Sequence, residues 1–172
     1  FEANIPYVRR YLVDHMLSPS APVTIDHEGL FVNSIRQSAA MLPFNARMIA
    51  FDIETRNPLG MPDARKDEAI MISYANKEKN GVLSFKKKFS APFVQSLASE
   101  KDMLESFAQV LRTEHADILC SYNGDMFDLP FLSERARQLH ADFRIGRDKK
   151  GVEERSRGMR KLAKLSGRVH LD

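Results

Sequence analysis

The sequence predicts an α/β domain whose mixed central sheet is flanked by helices. Three observations point there. From Ala46 onward, apolar runs of strand length and amphipathic runs of helix length follow in the order hairpin, helix, strand, helix, strand, which is how open sheets with helical connections are built. Two of the apolar runs, "MIAFDIE" and "ADILCSY", close on acidic or amide side chains. The 172 residues, 43% hydrophobic and 28% charged, are enough for one core without cross-links.

Residues 1–45 read as a region apart, an N-terminal helix and linker. In "NIPYVRRYLVDHML" the residues Ile5, Val8, Leu12 and Met16 fall at helical spacing, and Pro6 is tolerated in the first turn. "SPSAP" is a linker signal, "VTIDHEGLFVNSI" has room for short strands, and "RQSAAMLPF" reads as poor helix or coil. Residues 46–172 open on the strand "RMIAFDIE", followed by the Pro/Gly/charge-rich loop "RNPLGMPDARKDE". "AIMISYAN" and "VLSFKKKF" are the next two strands around "KEKNG", with Asn80-Gly81 its tightest turn signal. Ser99 caps a helix with an acidic first turn and with Met103, Leu104, Phe107, Val110 and Leu111 on one side. "DILCSY" is then a short buried strand, "NGDMFD" a loop, and "LPFLSERARQLHA" a helix opened near Pro130. "FRIGRD" and "GRVHLD" are the last strand candidates, and no internal repeat is visible.

No apolar run approaches the roughly 18 residues of a membrane span, so no membrane partner is expected. Cys120 is the one cysteine. It reads as a small core residue, and the chain holds too few for an internal disulfide or a cysteine-rich zinc site, which predicts a reducing, cytoplasmic setting. The N-terminus lacks an initiator Met and opens mid-pattern, which suggests a piece of a longer chain. Net charge is +3, yet Arg144 to Arg168 holds ten Lys and Arg against three acids, a local +7 beside a body of −4. A basic segment of this kind, with Arg147, Lys149 and Lys150 in it, holds a polyanion near carboxylates that would otherwise repel it. A solvated loop is the alternative reading.

Asp52 and Glu54 are two apart on a strand and therefore point to one side. Two converging carboxylates are costly to desolvate, and hard oxygen donors suit Mg²⁺ or Mn²⁺ as counter-charge. One acid facing solvent and the other capping the next turn is the open alternative. In "SYNGDMFDLPFL" the residues Asn123, Asp125 and Asp128 close a second strand. There Asp128 also reads as a helix cap, Asn123-Gly124 as a plain turn and Phe127 as a core aromatic.

Taken together, F-D-I-E-T at Phe51–Thr55 and Y-N-G-D-x-F-D at Tyr122–Asp128 resemble the first two exonuclease motifs of family B DNA polymerases, the archaeal members above all. "FEANIPYVRRYLVD", "AIMISYA", "FRIGRD" and "GRVHLD" resemble the family's flanking stretches, so the likeness spans nearly the whole chain apart from Ser18–Phe44. The resemblance implies a ribonuclease H-like 3′–5′ exonuclease fold, incomplete at the C-terminus, that removes mispaired nucleotides from a single-stranded 3′ end of DNA. It implies hydrolysis by two divalent metals about 4 Å apart. Asp52, Glu54 and Asp128 match the metal-binding acids, Asn123 the residue that steadies site and strand, and Phe127 an aromatic near the frayed bases, where stacking contributes about 1–3 kcal/mol per base. Asp125 is close but does not match the metal position. Pro6, Tyr7 and Arg10 match part of a uracil-sensing pocket, but the other residues of that pocket are not matched and core packing is the favoured reading. The remaining polymerase domains and DNA are the implied partners, in the nucleoid.

The family's third motif, Tyr-x-x-x-Asp or His-x-x-x-x-Asp, does not occur after Asp128: all four tyrosines precede it, and the residue five beyond His140 is Ile145. Asp172 matches an acid on the last strand and is given no catalytic role. The expectation is a piece of a family B polymerase, or part of a split one, that hydrolyses DNA weakly or not at all alone. The rival reading is a non-catalytic nucleic-acid-binding or scaffolding domain. A doubly wound nucleotide-binding domain is disfavoured, because no G-x-G-x-x-G follows a strand.

Overall fold

The structure, a computed structural model, describes residues 5–40, 45–57, 60–86, 88–157 and 160–172, and among these the backbone alone at 155–157 and 160–162. The chain divides into two compact units, Phe1–Asn45 and Ala46–Asp172. The first holds α1 (Tyr7–Asp14) and an antiparallel hairpin of β1 (Val23–Glu28) and β2 (Phe31–Gln37). Gly29, at φ +58, makes the tight reversal between them. No residue of α1 is buried, and Tyr7 is 80% exposed. Among the described residues of this unit, Tyr7 packs into no core.

The second unit is built on a six-stranded sheet: β3 (Met48–Thr55), β4 (Ala69–Ala75), β5 (Asn80–Ser84), β6 (Val94–Ser96), β7 (Ile118–Cys120) and, last in sequence, β10 (Val169–Leu171). Their spatial order is β10-β7-β3-β4-β5-β6. β10, β7 and β3 run parallel, β4 is antiparallel to β3 and to β5, and β6 is parallel to β5. Helices α2 (Glu100–Thr113) and α3 (Asp128–Leu139) make the crossovers, and a separate antiparallel hairpin, β8 (Glu153–Arg157) with β9 (Arg160–Lys164), precedes β10. This is the mixed α/β sheet that the sequence predicts.

Alternation decides which side of β3 is wet. Ile49, Phe51 and Ile53 are buried while Met48, Ala50, Asp52 and Glu54 are exposed, the period of two of a half-covered strand. The buried set meets α2, where Phe107 lies 5.3 Å ring to ring from Phe51 beside Met103, Leu104, Ala108 and Leu111. Ser99 Oγ accepts from the Asp102 backbone N–H at 3.1 Å and so satisfies a donor at the start of α2. α2 and α3 are tied by a buried pair in which Arg135 donates to Glu100 at 2.8 and 2.5 Å. Glu100 also accepts from the backbone of Ala69, and Arg135 donates to Ala64 O. The loop leading into β4 is thereby pinned to both helices.

Four local expectations change. The turn between β4 and β5 closes at Asn76–Lys79, not Asn80-Gly81, because the Asn76 side chain accepts from the backbones of Glu78 and Lys79; Asn80 and Gly81 already belong to β5. β6 is an addition, three residues long. "FRIGRD" is not a strand. Phe143 and Ile145 are buried, but the carbonyls of Arg144 and Ile145 are taken by Arg112 and Arg168 side chains instead of a neighbouring strand. The basic stretch before β10 is not only loop, since it folds into β8 and β9.

A candidate active site at the carboxyl ends of the parallel strands

Because β3, β7 and β10 are parallel, their carboxyl ends lie together. Pairing of Met48 with Ile118 and Ala50 with Cys120, and of Leu171 with Cys120, puts Asp52, Glu54, the loop after Cys120 and Asp172 at one end of the sheet. Open α/β sheets gather ligands at this end. Asp52 and Glu54 stand on the exposed face of β3, and the register shifts by one residue between Glu54 and Thr55, a bulge of the sort that re-aims side chains beside functional sites.

Asp128, the first residue of α3, is only 2% exposed. Burial pushes its carboxyl up to about 6; its own backbone N–H, at the start of α3, opposes this most, and the negative charge of Asp52 adds to the rise. The first and second motifs therefore lie close enough for the charge of Asp52 to act on Asp128. The donors are all carboxylate oxygens and the buried charge near Asp52 is costly, which fits a hard divalent cation. Among the described residues, however, no three His, Cys, Asp or Glu side chains are gathered closely enough to hold a metal ion. The fit rests on Asp52 and Asp128, with Glu54 on the same strand face.

The connecting loop is shaped by hydrogen bonds. Asn123 adopts φ 58, and its carbonyl accepts from the backbones of Met126 and Phe127. Phe127 is half-buried, 5.5 Å from Phe131, so part of its ring serves packing. Tyr122, unremarked in the sequence, is 91% exposed beside Asn123. Asp125 accepts from His170 Nδ1 at 2.6 Å, His170 Nε2 meets Ser121 Oγ at 2.8 Å, and Asp172 accepts from the backbone of Gly124 at 2.8 Å. The pairing of Asp125 with His170 links residues far apart in sequence, and only a strand register that brings β10 beside β7 could have revealed it.

The basic residues lie elsewhere. Asp117, just before β7, accepts from the backbone of Arg47 at 2.8 Å and pairs with Arg147, which holds its carboxyl below the usual range, the Arg47 backbone bond first. Arg112, Arg144, Arg147, Lys149 and Arg168 line a cleft of about 570 Å³ here, with His115, Asp142 and Gly146. Lys150 pairs with Asp148 at 3.5 Å. Arg47 and Arg168 precede β3 and β10, so this cleft is at the amino ends of the parallel strands. Arg147 and Lys149 are not brought to Asp52, Glu54 and Asp128.

The model of the DNA polymerase family B exonuclease domain matches residues 1–172. A DNA polymerase of Pyrococcus glycovorans is 35% identical over the whole chain, which covers 19% of that protein. One of Thermococcus aggregans is 34% identical, and there the chain covers 8%. The family B DNA polymerase structure from Pyrobaculum calidifontis superposes with a TM-score of 0.75 at 23% identity over all of this chain and 22% of that one, a likeness of fold. The chain thus spans about a fifth or less of these relatives. With both motifs at one end of a sheet of this fold and the family model matched from end to end, the chain belongs to the exonuclease domain family of family B DNA polymerases.

Proposed function

We propose that residues 46–172 contribute to a 3′–5′ exonuclease that trims the single-stranded 3′ end of DNA for a family B polymerase, with residues 1–45 as the region that precedes it. The observation that supports this most is the closeness of Asp128 to Asp52. Neither acid alone would distinguish a site from a cap, whereas a buried carboxyl that feels the charge of a second one is a costly arrangement that a cation offsets.

Asp52, Glu54 and Asp128 would hold Mg²⁺ or Mn²⁺. Such cations supply activation of the attacking water and stabilisation of the departing 3′-oxygen. The residues of the chain do the rest. The alternation of β3 sets Asp52 and Glu54 on one exposed face, and the first turn of α3 presents Asp128. Asn123 and the half-buried Phe127 flank the path of the strand, and the exposed ring of Tyr122 offers a further surface on which a base can stack. No Tyr-x-x-x-Asp or His-x-x-x-x-Asp follows Asp128, so the 172 residues alone should hydrolyse DNA slowly or not at all.

Two measurements test this. Mn²⁺ binding, read by electron paramagnetic resonance, should be lost on Asp52→Ala and on Asp128→Asn; retention in both would end the metal-site reading. Incubation with 3′-labelled single-stranded DNA and Mg²⁺ should release little nucleotide, and brisk stepwise release that vanishes on Asp52→Ala would refute the inactivity of this chain. A non-catalytic nucleic-acid-binding role draws support from the basic cleft at the far end of the sheet. It predicts binding that weakens with salt and ignores divalent ions.

A further inference from the structure

The loop that presents Asn123 and Asp128 is held at three points from the last strand. Ser121 N–H donates to Leu171 O at 3.2 Å, the Gly124 backbone donates to Asp172 at 2.8 Å, and His170 joins Asp125 and Ser121. The His170 side chain is only 4% exposed. An ionised Asp125 can only accept, so Nδ1 donates to it, and Nε2 meets the Ser121 hydroxyl. Gly124 has no room for a side chain: a Cβ there would overlap Ser121 Oγ and come within 3.1 Å of His170 Cε1. Serine, histidine and aspartate in a row invite comparison with a hydrolase triad. Here the serine hydroxyl is packed against Gly124 and the ring is buried, so no substrate carbonyl reaches them, and the network has a different use.

We infer that His170 is a positioning residue, which holds the Asn123–Asp128 loop in register with β3 and keeps Asp125 from competing with Asp128 for the cation. The inference rests on the exonuclease reading of the site. Two carboxylates lie three residues apart, Asp125 in the loop and Asp128 at the first position of α3. The His170 bond commits Asp125 to β10 and leaves Asp128 as the acid that faces β3. Partners that orient a ligand commonly change metal affinity 10–100-fold, and this network acts in that way on the loop rather than on the carboxylate itself.

The test compares Mn²⁺ affinity and backbone hydrogen exchange in the unmodified chain and in His170→Ala, His170→Asn, His170→Gln and Asp125→Asn, with thermal melting to confirm folding. His170→Ala is expected to weaken Mn²⁺ about 10-fold or more and to speed exchange at Gly124–Asp128. The Asn side chain places an N–H where Nδ1 stood and should restore most of the affinity; Gln, which reaches only toward Ser121, should not. Asp125→Asn combined with His170→Ala should be no worse than the poorer single variant, as expected for two halves of one contact. Unchanged exchange in a folded His170→Ala, or equal affinity in the Ala and Asn variants, would overturn the positioning role. Failure of Asp52→Ala and Asp128→Asn to affect Mn²⁺ would instead overturn the site reading, and the exchange data would still decide the role of His170.

Discussion

At the scale of single residues, Asp128 sets the cost of the site. A carboxyl raised from the ordinary 3.8 to about 6 in the fold binds its proton more tightly folded than unfolded. Between about pH 4 and 6 the metal-free protein should therefore lose stability as pH rises, by up to about 3 kcal/mol, and the loss is complete above that range. In chelator, urea denaturation at pH 5 and pH 7.5 should show this slope, and Asp128→Asn should flatten it and be the more stable protein at pH 7.5. An unchanged slope in Asp128→Asn would place the titration elsewhere. That Asp52 and Glu54 share a strand face was legible from their spacing alone. The spacing of Asp125 and Asp128 does not tell the two acids apart; the fold does, since Asp125 accepts from His170 while Asp128 opens α3 and is buried.

At the scale of elements, the Glu100–Arg135 pair joins α2, α3 and the entrance to β4 with both side chains under a tenth exposed. Removing one partner leaves a buried charge without its hydrogen-bonded counter-ion. Arg135→Met and Glu100→Gln should each destabilise by about 3–5 kcal/mol, and a double-mutant cycle from chemical denaturation should show strong coupling; additive losses would mean the pair is not one unit. The long periodic elements, α2, α3, β3 and β4, could be read from apolar spacing because burial writes that spacing. What the sequence hid were elements defined by pairing. β6 is only three residues long, β8 and β9 carry charge where strands usually alternate, and "FRIGRD" has the strand pattern while arginine side chains occupy its carbonyls.

At the scale of the whole sheet, Asp52 and Glu54 lie at the carboxyl ends of the parallel strands, while Arg112, Arg144, Arg147, Lys149 and Arg168 gather with Asp142 in a cleft at the amino ends. The sequence showed both charges but not their placement, because a basic segment distant in sequence can fold to either end. Arg147→Glu with Lys149→Glu should reduce affinity for long single-stranded DNA and flatten its salt dependence, while leaving Mn²⁺ binding at the acids unchanged; a parallel loss of both would mean the two ends act as one surface. From Arg47 to Asp52 is five residues of strand, about 17 Å at roughly 3.3 Å each, beyond the roughly 8–10 Å over which charges are felt at physiological salt. The strand length of β3 thus works as a ruler: a single nucleotide held at the acids stands clear of the arginines, and only a strand of several nucleotides can touch both ends.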